Sequence, residues 1–126
     1  MIVGPFITPA CTGNDGSGAA TVTSDNVVCG FIAAIYIDYV GDDPATTDVT
    51  ISTEGVSPRA PAHNLFVATN IATSQLFLPR RVSHVATTGV ASTTADQYTP
   101  VDDKIVVTVA QANTGDIIKV WLYVID

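Results

Sequence analysis

The chain has 126 residues with twelve carboxylates against five Lys/Arg, a net charge of −7 and only 13% charged residues. That length fits one domain that buries roughly two-thirds of its unfolded surface, so neither a metal nor a disulfide is needed for folding. The five basic residues are Arg59, Arg80, Arg81, Lys104 and Lys119; they form no basic stripe to displace counterions, which argues against nucleic acid and an anionic membrane as partners.

Thr, Val and Ile supply 45 residues, while Leu (four), Lys (two), Glu (one) and Met (one) are scarce. β-Branched side chains lose rotamer freedom in helices and pack well on a pleated sheet, so this balance predicts an all-β chain. The charge content is about half that of an ordinary globular domain. So few charges point to a surface partly hidden in an assembly. A neutral Thr/Ser-rich surface is the alternative. The start, Met1-Ile-Val-Gly-Pro5, has no basic stretch, so no signal peptide is expected. The apolar run Val27 to Ile37 is too short to span a bilayer. Synthesis in a cytoplasm is the expectation.

In chain order, Ile2 to Pro9 reads as an extended arm or edge strand, because Pro5 and Pro9 exclude a central strand. Cys11 to Gly18 is a glycine-rich loop. Its Gly13, Gly16 and Gly18 precede no helix and so cannot cradle phosphate as nucleotide folds do. Ala19 to Ser24 is a strand, followed by a turn at Asp25-Asn26. Val27 to Val40 is apolar on both faces until its end, which predicts a strand covered on both sides and a buried Cys29. Gly41 to Ala45 is a turn-rich loop. Thr47 to Thr53 alternates cleanly, with Val49 and Ile51 inward. A Pro-rich loop (Gly55 to Pro61) precedes strands at Asn64 to Thr69 and Gln75 to Leu78. Val82 to Val85 reads as a further short strand. Gly89 to Tyr98 is small and polar, as in a surface loop, and Val101 to Asp103 reads as a turn. Lys104 to Ala110 places Ile105, Val107 and Val109 on one face. Asn113-Thr-Gly115 matches a tight hairpin connection into the last strand, Asp116 to Ile125. There Ile118, Val120, Leu122 and Val124 share one face and Lys119, Trp121 and Tyr123 the other. About eight short strands with frequent turns make one antiparallel sandwich or barrel over residues 1–126, with 1–18 as its arm and loop.

No residue pattern calls for catalysis, a cofactor or a metal. Ser83 and His84 are adjacent in an extended segment, so they point to opposite faces and cannot form a nucleophile–base pair. His63 sits in the Pro-rich loop. Asp42-Asp43 and Asp102-Asp103 fall where turns are expected and lack the alternating ligands of a calcium loop. Cys11 and Cys29 have neither CxxC spacing nor a nearby His cluster and read as free thiols, with a disulfide between them in an oxidising medium as the alternative. The residues best suited to a protein interface are Phe6 on the arm, Arg80 and Arg81 for contact with an acidic neighbour, and the alternating aromatics Trp121 and Tyr123. Coverage of these aromatics by a second sheet or loop of the same chain is the competing reading.

Several stretches are familiar in combination: Val28-Cys-Gly-Phe-Ile-Ala-Ala-Ile-Tyr-Ile37, Pro44-Ala-Thr-Thr-Asp-Val-Thr-Ile51, Phe77-Leu-Pro-Arg80, and Val101 to Asp116 with the last strand. Over about residues 27–126 the chain resembles small head-decoration (cement) or minor virion proteins of tailed bacteriophages. The resemblance implies a β-sandwich on a capsid surface, with a jelly roll favoured and an immunoglobulin-like sandwich as the alternative strand order. It implies no enzymatic activity. It further implies a homotrimer that binds the major capsid protein and ties capsomers together. A tail or fibre module that binds a receptor or carbohydrate is the alternative function.

Overall fold

The computed structural model describes residues 1–11, 18–41, 46–56, 58–71 and 73–126. The expected turn at Asp42-Asp43 and most of the glycine-rich loop, including Gly13 and Gly16, lie outside the described residues. Eleven strands and no helix are present among the described residues: β1 (Ile2–Ile7), β2 (Gly18–Thr23), β3 (Val28–Val40), β4 (Thr47–Thr53), β5 (Asn64–Ile71), β6 (Gln75–Phe77), β7 (Arg81–His84), β8 (Ala91–Gln97), β9 (Thr99–Asp103), β10 (Ile105–Ala112) and β11 (Ile117–Ile125).

The all-β, antiparallel architecture expected from composition is present. One sheet has the order β1-β11-β3-β6, with β9 also pairing β3; the second has the order β2-β10-β4-β5. The inner faces meet in a single core of Ile32, Ile35, Ile37, Val49, Ile51, Ile105, Val107, Val109, Ile118, Val120 and Leu122, all fully buried. Each such side chain stabilises the fold by about 1.5–3 kcal/mol relative to exposure. Period-2 alternation places them: Val49 and Ile51 on β4 and Ile118 to Val124 on β11 point inward, as their spacing predicts. Thr47 and Thr53 complete the inner row of β4.

Five expectations are corrected. First, Asn113-Thr-Gly115 does not close a hairpin. β10 pairs with β2 and β4, whereas β11 pairs with β1 and β3. The turn arches from one sheet to the other, and Gly115 adopts φ +92°. Asn113 N donates to Asp116 Oδ2 (3.2 Å), and Gly115 N donates to the Cys11 carbonyl (2.9 Å). Second, Val101-Asp-Asp103 is not a turn but the end of β9, with Thr99, Val101 and Asp103 inward. Buried Asp103 is tolerated because Gly55 N (2.9 Å) and Lys104 N (2.7 Å) donate to its carboxylate, with Arg59 Nε 3.8 Å away; a buried carboxylate needs such partners. Third, the segment from Gly89 to Tyr98 contains a strand, β8, which pairs with β7 in a separate two-stranded sheet. This small sheet has no core of its own, so its sequence shows no apolar alternation. Fourth, Cys29 is exposed and Cys11 is the buried thiol; both are free. Fifth, β3 is covered on one side only, since Phe31 and Val40 are exposed.

The reason for the last two corrections is a bulge. Tyr123 pairs with Ala34 but Val124 pairs with Ile32, so Ala33 is the extra residue. An inserted residue flips the side-chain phase of everything beyond it. Before the bulge Val28 and Ile32 point inward, and after it Ile35, Ile37 and Tyr39 do. Cys29 and Phe31 therefore face out. The bend also divides one edge of β3 between two partners, β9 along Val28 to Ile32 and β6 along Ile35 to Ile37.

Candidate interaction surface

Among the described residues, no element covers the outer face of the β1-β11-β3 sheet. Register arranges it in rows. Ile2, Tyr123 and Ala34 form one; Trp121, Tyr36 and Leu76 of β6 form the next; Ile125, Phe31 and Pro100 of β9 lie at one end. Towards the other end Ile7, Lys119 and Asp38 make a row, followed by Ile117 and Val40. Ile2 is 56%, Leu76 52%, Phe31 49%, Ile125 45% and Tyr123 38% exposed, and Trp121 is half-buried among its row neighbours. These side chains are outward because the inward positions of the same strands are taken by the core. The apolar surface they present is on the order of 500 Å², the upper end for a single patch on a monomer.

Of the residues singled out in the sequence, Trp121 and Tyr123 lie in the middle of this face and no element of the chain covers them among the described residues. Phe6 does not: it pairs with Val120 and packs half-buried against the core. There it lines an open groove of about 490 Å³ between the edges of β1 and β2, with Val3, Val22 and Val28. Arg80 and Arg81 sit on the opposite side of the sandwich and are engaged within the chain. Arg80 Nη1 donates to the carbonyls of Ala33 (2.8 Å), the bulge residue, and Pro79 (2.7 Å), and its guanidinium lies 4.4 Å from the centre of the Tyr98 ring. Arg81 Nη2 donates to the carbonyls of Asn64 (2.6 Å) and Leu65 (3.0 Å) on β5. With the Phe66–Phe77 ring contact at 5.0 Å, these arginines close the side where β5 and β6 meet.

Among the described residues, His63, His84 and the Asp102-Asp103 pair are not brought together at one point. His63 shares a pocket of about 370 Å³ with Arg59, Asp102 and Asp103. Its Nδ1 is 3.0 Å from the Pro61 carbonyl, which can only accept, so the proton is assigned to Nδ1. Thr53 Oγ1 accepts from His63 N (3.1 Å), which ties the Pro-rich loop to β4. The Asp103 carboxylate is occupied by its two backbone donors, leaving it poorly placed as a base. His84 stands apart, exposed on β7. Among the described residues no three His, Cys, Asp or Glu side chains are grouped to hold a metal ion. Burial first, and the Asp116 carboxylate second, push the Cys11 thiol above its ordinary range. Among the described residues no helix is long and apolar enough to cross a membrane.

The outer face was legible in part, since Trp121 and Tyr123 alternate with core positions. Phe31, Leu76 and Ile2 were not, because their phase depends on the bulge and on pairings remote in sequence. Comparison with protein families, with curated proteins and with solved structures finds no match.

Proposed function

We propose that this chain is a structural virion protein that binds the outside of a tailed-phage capsid and stabilises the shell by bridging its subunits. The observation that carries the reading is the uncovered outer face of the β1-β11-β3 sheet. In a chain of such low charge, a contiguous face rich in aromatic and branched side chains has the make-up of a protein interface. The strand order supports the jelly-roll form of sandwich. β1 and β2, β3 and β4, and β10 and β11 are consecutive yet sit in opposite sheets, one of five strands and one of four. An immunoglobulin sandwich keeps its first two strands in one sheet.

The test is co-sedimentation with purified shells of the phage that encodes it, together with thermal challenge of the decorated shells. Saturable binding and a raised shell disruption temperature are expected. Binding to no shell or other virion component overturns the proposal.

A further inference from the structure

We propose that the outer face of the β1-β11-β3 sheet takes a second copy of this chain, packed about a two-fold axis that lies in the contact plane, parallel to the strands, between β11 and β3. This rests on reading the face as a protein interface, and it names the partner.

Charge restricts where two copies can meet. Each carries −7, so most approaches are repulsive. The central strands of this face carry one cation and one anion, Lys119 and Asp38, directly opposite each other in the register. Both are half-buried. Asp38 Oδ1 accepts from Ser74 Oγ (3.2 Å), and Lys119 has no ion-pair partner among the described residues. Asp102 lies off to one edge, on β9.

The axis follows from that pairing. A two-fold axis between β11 and β3 exchanges the two strands, so each cross-strand pair becomes a pair across the interface. Lys119 comes to face the partner's Asp38, and Asp38 the partner's Lys119. Trp121 faces the partner's Tyr36, Ile125 the partner's Phe31, and Tyr123 the partner's Ala34, where a large ring meets the smallest side chain of the face. Sheets packed face to face sit ~10 Å apart and lie within about 30° of parallel, which keeps these pairs in reach. The apolar patch, on the order of 500 Å², supplies more than half of the ~800 Å² that each side of a stable interface contributes. A pair joined in this way turns its two second sheets outward in opposite directions.

Light scattering at tens of micromolar chain should give a mass about twice 13.1 kDa. Lys119→Asp and Asp38→Lys should each shift the chain to monomer, and the two together should restore the dimer. Should the single reversals unfold, as circular dichroism would reveal, Ala34→Arg provides the second variant: it blocks the seat of the partner's Tyr123 and should be folded and monomeric. A monomeric or trimeric wild type, a dimer indifferent to Ala34→Arg, or folded reversals that stay dimeric overturn the inference. A dimer that binds no shell leaves the pairing standing and removes the capsid function. A monomeric wild type whose Ala34→Arg variant loses shell binding removes the pairing and leaves the interface.

Discussion

Arg80 shows how one side chain supports a whole edge of the sandwich. The bulge at Ala33 takes a carbonyl out of the ladder, and a carbonyl left without a partner in a partly buried position costs about 1–3 kcal/mol. Arg80 donates to it while lying over Tyr98. Arg80→Ala should therefore lower stability by about 2 kcal/mol, and Arg80→Lys should recover only part, because an ammonium lacks the planar guanidinium that lies over the Tyr98 ring. Urea unfolding of the three proteins checks this. The sequence showed Arg80 only as one half of a basic pair; its role depends on a bulge 47 positions earlier, which no local pattern encodes. The two thiols make a second contrast. Cys29 faces out and should be alkylated in the native chain, whereas Cys11 should react only after unfolding; mass spectrometry should count one adduct in buffer and two in denaturant. Because folding raises the Cys11 pKa, the stability contributed by its proton is complete below the ordinary thiol range, about pH 8.5, and is lost as pH rises from there through the folded value. The unfolding midpoint should fall more steeply above that pH in the wild type than in Cys11→Ser.

Among elements, the β7–β8 hairpin differs most from the rest. Every residue of β7 is exposed, and β8 is exposed apart from half-buried Ser92. Its amides have hydrogen-bond partners but almost no apolar cover, so opening should require little free energy. Hydrogen exchange should show β7 and β8 exchanging through local opening, orders of magnitude faster than β10 and β11, whose inward rows are buried. Equal protection would contradict this. The same distinction explains which strands were legible. β4, β10 and β11 bury one face against the core and alternate plainly. β8 buries neither face, so Ala91 to Gln97 read as a loop. β3 is apolar on both faces near its start, so its sequence did not fix which side was the core side, and Cys29 was placed on the wrong one.

At the scale of the molecule, turn chemistry and partner choice are separate pieces of information. Asn113-Thr-Gly115 correctly marked a chain reversal. Whether the two strands then bond to each other is decided by β2 and β4 competing for β10, and by β1 and β3 competing for β11. The sheet edges bear on what the molecule can build. Along β1, Pro5 has no amide hydrogen to offer and the register shifts between Val3 and Phe6. β6 is three residues long. On β5 the carbonyls of Asn64 and Leu65 are taken by Arg81. Proline, short length and a charged side chain all discourage an incoming strand, and β9 likewise carries Pro100, which leaves β2 as the plainer edge of the two large sheets. With one receptive edge, these two sheets can join two molecules edge to edge but cannot stack without end, because endless stacking needs a receptive edge at each end. Concentrated solutions of this protein should accordingly stay free of thioflavin-positive fibrils built by edge-to-edge stacking of its two large sheets.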